Sequence, residues 1–243
     1  MTEHTDTLFQ TPWQGVGDFR FDERVAAVFP DMIRRSVPGY GHVIGLTGLI
    51  AKRYAKPHTV LYDLGCSLGA STLAMATQVT EPGCQIIAID NSEAMLKRAA
   101  ELATDRAIAP IPITWIAADI CAFEFSPCSV VSLNFTLQFI APEQRLSLLS
   151  RIHEAMVPGG VLILAEKVTV PEPAQTHLNA LHLDFKRANG YSELEIAGKR
   201  QAIEQVLIPE SPETHTERLQ QAGFNAVSEF FHCLNFRAWM AVA

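Results

Sequence analysis

Apolar positions along the chain change their period twice. Over residues 22–36 they recur at helical spacing, and Pro30 in the middle is expected to break or kink that helix. Val37-Pro38-Gly39 reads as a turn, and residues 40–56 as a second helix that stops before Pro57. From Thr59 onward, short runs rich in β-formers alternate with helical segments. Strands are expected over residues 59–64, 85–89, 113–117, 129–133 and 161–166, with helices over 69–79, 92–103 and 142–156. Ser92 is placed to cap its helix, Pro142 sits in a first turn, and Pro158-Gly159-Gly160 reads as the stop before the fifth strand. The pattern then turns mainly helical from Pro171 to about Pro209, and a last helix covers roughly residues 212–222. Residues 226–233 and 236–242 flank Leu234-Asn235 as a hairpin. The first twenty residues read as an irregular arm.

Strands separated by helices imply a parallel sheet with helices on both faces, and strands that are nearly continuous apolar runs fit burial on both sides. The expected fold is α/β and Rossmann-like. It has a mostly parallel seven-stranded sheet with a C-terminal antiparallel hairpin, an N-terminal arm and helical cap over residues 1–58, and a helical insertion over 167–210. The 243 residues suit one domain, residues 1–243.

Composition narrows the function classes. Hydrophobic residues make up 48% of the chain, enough for a large core. No apolar run reaches the roughly 18 residues that span a bilayer. The start of the chain lacks the basic-then-apolar order of a signal peptide. The five cysteines lie far apart without a CxxC, which argues against a disulfide framework or zinc knuckle and fits a reducing cytoplasm. The net charge of −7, with Lys186-Arg187 and Lys199-Arg200 as short clusters rather than a stripe, argues against tight nucleic-acid binding by this chain.

Candidate chemistry gathers where the strands are expected to end. Asp63-Leu64-Gly65-Cys66-Ser67-Leu68-Gly69 bridges the first strand and its helix. In open parallel sheets ligands bind outside such carboxyl ends. The D-x-G-x-x-x-G spacing differs from the G-x-G-x-x-G that aims a pyrophosphate at a helix N-terminus, and alone it is also compatible with a plain tight turn. Asp90, ending the second strand, can accept both hydroxyls of a ribose. Asn91 beside it can add an amide contact, although Asp90-Asn91-Ser92 also reads as a turn with a helix cap. Asp119-Ile120 follows the third strand, where the acid can accept from an adenine amino group and the isoleucine can offer its N–H and side chain to the base. Asn134 follows the fourth strand, and a buried asparagine needs partners for both ends of its amide.

These four features, spread over residues 59–166, resemble the motif series of S-adenosylmethionine-dependent methyltransferases. Longer strings carry a closer resemblance: Phe21-Asp22-Glu23-Arg24, Arg35-Ser36-Val37-Pro38-Gly39-Tyr40, Leu133-Asn134-Phe135-Thr136-Leu137-Gln138-Phe139, and His182 to Ile196 followed by Lys199-Arg200. Nearly end to end, the chain is similar to the carboxy-S-adenosylmethionine synthase family. That resemblance implies an enzyme converting S-adenosylmethionine and prephenate to carboxy-S-adenosylmethionine and phenylpyruvate. It further implies a homodimer, no metal, and a product used by a tRNA carboxymethyltransferase at a wobble uridine. Loss of the ring carboxylate of prephenate is driven by aromatisation. The positive sulfur acidifies its methyl, so that carbon can add CO2 where water is excluded. The resemblance assigns the new carboxylate to Arg200 and the rest of the ligand to Tyr40, Gly65, Cys66, Ser67, Asp90, Asn91, Asp119, Ile120 and Asn134. Lys186, Arg187 and Tyr191 are secondary candidates for prephenate.

Other chemistry fits poorly. No H-E-x-x-H and no zinc-spaced His/Cys pairing occurs, His177 and His182 do not align on one helix face, and Ser67 and Ser71 lack a nucleophile elbow. A conventional small-molecule methyltransferase explains the strand-end motifs but leaves Arg200 without a task. A non-catalytic cofactor-binding subunit of a tRNA-modifying enzyme is the alternative of a different class.

Overall fold

The computed structural model describes residue 6 and residues 21–106, 111–203 and 206–243, the side chains of 105, 106 and 199–203 excepted. Seven strands form one sheet: β1 (Val60–Leu64), β2 (Gln85–Asp90), β3 (Ile113–Ala117), β4 (Cys128–Asn134), β5 (Met156–Lys167), β6 (Ala226–Cys233) and β7 (Phe236–Val242). Their spatial order is β3-β2-β1-β4-β5-β7-β6. β1 to β5 run parallel, while β7 lies antiparallel between β5 and β6, so the hairpin returns inward and β6 forms the edge. The order reverses between β1 and β4, and in doubly wound sheets that switch point opens a crevice at the carboxyl ends of the strands.

Period-2 alternation divides the strands between two cores. Leu61, Ile86, Val130, Val161 and Ile163 pack with Ala51 of α2 (Tyr40–Tyr54) and Met75 and Ala76 of α3 (Ala70–Gln78). Tyr62, Leu64, Val131, Leu133 and Leu162 pack with Leu148, Leu149 and Ile152 of α5 (Pro142–Ala155) and with Leu219 of α8 (Pro212–Gln221). The cap helix α1 (Glu23–Ser36) lies over the sheet's carboxyl end. Its Val25, Ala26 and Met32 meet Leu68 and the Met95 of α4 (Glu93–Arg106). Asp22 caps α1, its Oδ1 accepting from the Val25 N–H at 3.0 Å. Ser92 caps α4, and its hydroxyl also donates to the Phe21 carbonyl at 2.5 Å, tying cap to sheet.

Two local expectations are revised. α1 continues through Pro30, because residues on both sides of it are buried in the same core. Pro158-Gly159-Gly160 does not precede β5 but lies inside it. Met156 already pairs with Cys128, and the three residues form an irregularity stitched to the chain end by the Gly159 N–H donating to the Ala243 carbonyl at 2.9 Å. The Leu137–Phe139 turn of 3-10 helix after β4 had no expectation attached to it. Residues 171–209 contain α6 (Ala174–Ala188) and α7 (Glu193–Ile203).

A buried arginine closes the insertion onto the sheet. Arg145 of α5 is fully buried and donates to the carbonyls of Ile140 and Ile208 at 2.9 Å each and to Glu210. Glu210 also accepts twice from Arg218, at 2.7 and 2.5 Å. No helix among the described residues is long and apolar enough to cross a membrane. Arg145→Ala leaves Glu210 its Arg218 partner but strips the Ile140 and Ile208 carbonyls of their donor, so it should lower unfolding free energy by about 1–3 kcal/mol, read by urea denaturation. Arg145→Lys should recover only part, because an ammonium cannot serve the planar fork.

Candidate active site

The loop after β1 is shaped by backbone conformations that its sequence allows. Gly65 and Gly69 have φ of 71° and 75°, and Ser67 between them has φ of 49°. The Gly65 and Cys66 amides both donate to the Ile89 carbonyl, at 2.8 and 2.9 Å, which folds the loop over the end of β2. A Cβ on Gly65 would lie 2.3 Å from Thr136 Oγ1, so the loop and the turn after β4 abut with no room between them.

Asp90 at the tip of β2 completes the clamp. Its Oδ2 accepts from the Ser67 N–H at 2.8 Å and its Oδ1 from the Ser92 N–H at 2.9 Å. Burial raises its pKa, against the pull of these amides. Each oxygen has a further lone pair to offer a ligand hydroxyl. Asp63 on β1 is buried and accepts from the Thr72 hydroxyl at 2.5 Å. Burial first, with the Asp90 charge adding to it, outweighs that hydrogen bond and pushes the Asp63 carboxyl up to about 6.

Asn134 is the last residue of β4. Its Nδ2 is surrounded by the hydroxyl oxygens of Thr47, Ser71 and Ser132 at 3.0–3.1 Å. Its buried Oδ1 has no hydrogen-bond partner. An unmatched buried acceptor is costly and points to a donor the protein itself does not supply. Phe135 then leaves the strand at φ 58°, a conformation rare for a bulky residue, and its N–H donates to Ala165 O at 2.6 Å.

These residues open onto one cavity of about 700 Å³. Tyr40, Gly65, Cys66, Ser67 and Asp90 line it, as do Asn91, Asp119, Ile120 and Asn134. Nine of the ten positions singled out for the ligand are thus brought together. The tenth, Arg200, is a backbone position of α7 whose side chain lies outside the described residues. Tyr40 begins α2, with its ring 6.0 Å from Phe135, and burial together with the Asp63 charge raises its phenol pKa. Asp119 Oδ1 accepts from the Cys121 N–H at 2.8 Å, which fixes the bend after β3. Burial, with the Asp63 and Asp90 charges adding to it, pushes the Cys66 thiol well up, which favours its neutral form.

Of the secondary candidates, Lys186 lines the cavity, and the other two face elsewhere. Arg187 pairs with Asp184 and Glu193 on the exposed side of α6, at 2.7 and 2.5 Å. The Tyr191 hydroxyl donates to Asp6 at 2.6 Å beneath the Arg35 guanidinium. The sequence reading missed lining residues contributed from elsewhere, among them Thr136, Gln138, Lys167, His182 and Phe236. Thr136 and Gln138 fall inside a string already singled out, but nothing in the hairpin's sequence marks Phe236. Beneath the lining, Glu166 at the end of β5 is fully buried and accepts from the Leu137 and Gln138 amides at 2.8 and 3.2 Å. Burial pushes its carboxyl up to about 8.

The donor set fits S-adenosylmethionine. Asn134 Oδ1 and Asp63 offer acceptors that an ammonium could use, Asp90 an acceptor pair that a ribose diol could use, and Asp119 and Ile120 line the same cavity. Among the described residues, no group of three or more His, Cys, Asp or Glu side chains is arranged to hold a metal.

Comparison with known proteins agrees with this geometry. Residues 61–160 match the family described as a methyltransferase domain. The chain is 54% identical over 242 residues to carboxy-S-adenosyl-L-methionine synthase of Geobacter sp. (strain M21), covering 99% of both chains. It is 54% identical over 246 residues to the synthase of the same name from Pseudomonas putida (strain W619), covering all of both. Among solved structures, human N-acetylserotonin methyltransferase in complex with SAM superposes with a TM-score of 0.58 at 17% identity, over 90% of this chain and 55% of that one. That likeness establishes the fold, α/β and Rossmann-like.

Two outcomes follow from this geometry. Gly65→Ala should cost about 1–3 kcal/mol of stability through backbone strain and should weaken S-adenosylmethionine binding, read by denaturation and by calorimetric titration. Glu166 keeps its proton in the folded chain at pH values where the unfolded chain has lost it. Stability should therefore fall as pH rises from about 4.5 to about 8, and level off above. Glu166→Gln should flatten that slope in melts run across the same range.

Proposed function

Because the chain belongs to the carboxy-S-adenosyl-L-methionine synthase family, we propose that it converts S-adenosyl-L-methionine and prephenate to carboxy-S-adenosyl-L-methionine and phenylpyruvate. The observation that carries this reading is the single cavity that collects nine strand-end and cap residues in a chain so similar to the synthases from end to end. A conventional methyl transfer would leave the similarity of α6 and α7 without a purpose.

The bound sulfonium supplies an acidified methyl carbon, and the residues around it supply position and exclusion of water. Asp90 holds the ribose hydroxyls, with Asn91 beside it, and Asp119 and Ile120 hold the adenine. Asn134 Oδ1 accepts from the amino group, and the loop of Gly65, Cys66 and Ser67 lines the amino-acid end. Tyr40 closes the pocket from the cap. The reaction balances without a redox partner: prephenate loses its ring carboxylate as CO2 and its ring hydroxyl as hydroxide, and becomes phenylpyruvate. The sulfonium methyl loses a proton, which the hydroxide takes to form water, and a new carbon–carbon bond joins that methyl to CO2. Arg200 then receives the new carboxylate, a permanently charged fork for a planar anion.

The same reading makes the protein a cytoplasmic homodimer that needs no metal and hands its product to a tRNA carboxymethyltransferase at the wobble uridine. It treats residues 1–243 as one ligand-binding unit. The net charge of −7 supports leaving RNA contact to that partner.

Incubation with S-adenosyl-L-methionine and prephenate should yield phenylpyruvate and a sulfonium heavier by one CO2, identified by mass spectrometry. A methylated acceptor, or no consumption of prephenate, would overturn the proposal. Arg200→Ala should weaken binding of the carboxylated product by about 2–5 kcal/mol and affect S-adenosylmethionine much less. An equal loss for both ligands in calorimetry would remove Arg200 from that role.

A further inference from the structure

The cavity reverses its charge across the sheet. Asp63, Asp90 and Asp119 stand at or just past the tips of β1, β2 and β3. On the other side of β4 the charged lining residues, among the described ones, are Lys167, which ends β5, and Lys186 on α6. The wall on that side is aromatic. The Phe135 ring lies 6.3 Å from Phe236, and the His182 ring stands edge-on to Phe236 at 5.1 Å.

Three separate elements converge to build this end. Lys167 lies opposite Phe236 in the β5–β7 ladder. His182 and Lys186 are one helical turn apart, so they share a face of α6. His182 Nε2 meets the Ser36 carbonyl at 2.7 Å, which fixes that face against the end of α1 and over the cavity. The ribose, adenine and amino-acid groups find their partners on β1 to β4 and have no use for this end. Its chemistry suits an anion that carries a ring. A carboxylate leaving water needs a cation nearby, and a flat ring packs against aromatic faces and edges.

We propose that the end of the cavity formed by Phe135, Phe236, Lys167 and Lys186 is the docking subsite for the ring-bearing dicarboxylate co-substrate. Its ring lies against Phe135 and Phe236, and one carboxylate is held by Lys167 and Lys186, with His182 positioning α6. This rests on the functional reading above and assigns residues to its second substrate.

Lys167→Gln and Lys186→Gln are to be compared with the natural chain, measuring KM for prephenate at saturating S-adenosylmethionine and, in parallel, affinity for S-adenosylmethionine by calorimetry. Each substitution should raise KM by ~10-fold or more, a tenfold change being about 1.4 kcal/mol, and leave S-adenosylmethionine affinity within about twofold. Lys186→Arg should recover most of the loss. An unchanged KM in both variants, or an equal fall in affinity for the two substrates, would overturn the proposal. If the variants fail to fold, the natural chain with S-adenosylmethionine bound is titrated with phenylsuccinate, a non-reactive aryl dicarboxylate. Binding that weakens as salt rises supports the subsite, and absent or salt-indifferent binding overturns it. No turnover of prephenate, with phenylsuccinate bound by the natural chain and lost in Lys186→Gln, would overturn the reaction and keep the subsite.

Discussion

The Asp90 carboxylate is held at the tip of β2 by the amides of Ser67 and Ser92, while the Gly65 and Cys66 amides bind the Ile89 carbonyl just below it. One loop is therefore fastened to the neighbouring strand through both the side chain and the main chain of consecutive residues. Gly65 can enter that loop at positive φ, and the missing Cβ is the space that Thr136 fills from the turn after β4. The tips of β1, β2 and β4 are thereby locked together, and the remaining lining residues are placed relative to that lock.

Around this lock the chain keeps several ionisable groups out of water. Asp63 and Glu166 are buried carboxyls whose pKa values rise because desolvation outweighs their hydrogen bonds. Glu166 accepts the two amides of the turn that carries Gln138 toward the cavity, so its burial orders the lining. Arg145 sits below the same turn and binds its end to residues 208 and 210. Site shape and stability are coupled through these groups, as buried polar networks fix a unique arrangement only when their members are satisfied.

Charge is distributed along the sheet order rather than along the sequence. Among the described residues, the acids stand at or just past the tips of β1, β2 and β3 and the lysines on the last parallel strand and the inserted helix, so one cavity presents opposite signs at its two ends. A cationic ligand with hydroxyls and an anionic ligand with a ring are the two chemistries such a division accommodates.

Much of this was legible in the chain itself. Alternation of strand and helix periods places every strand but β5 within a residue or two, and β5 begins five residues before the apolar run that marks it. Gly65, Asp90, Asp119 and Asn134 could be expected to gather at one cavity because strand ends in such sheets converge. Three things were not legible. The continuity of α1 through Pro30 and the inclusion of Pro158-Gly159-Gly160 in β5 depend on neighbours far along the chain, which override local breaking tendencies. The separate fates of Lys186, Arg187 and Tyr191, close together in sequence, depend on which face of α6 meets α1 and on the distant Asp6. The order of elements and the acidic strand ends follow from local periodicity and residue chemistry, and so could be read along the chain. That Phe236 lies opposite Lys167 and against His182 of α6 came from the packed fold alone, because it follows from the antiparallel return of β7, a long-range pairing with no local signature.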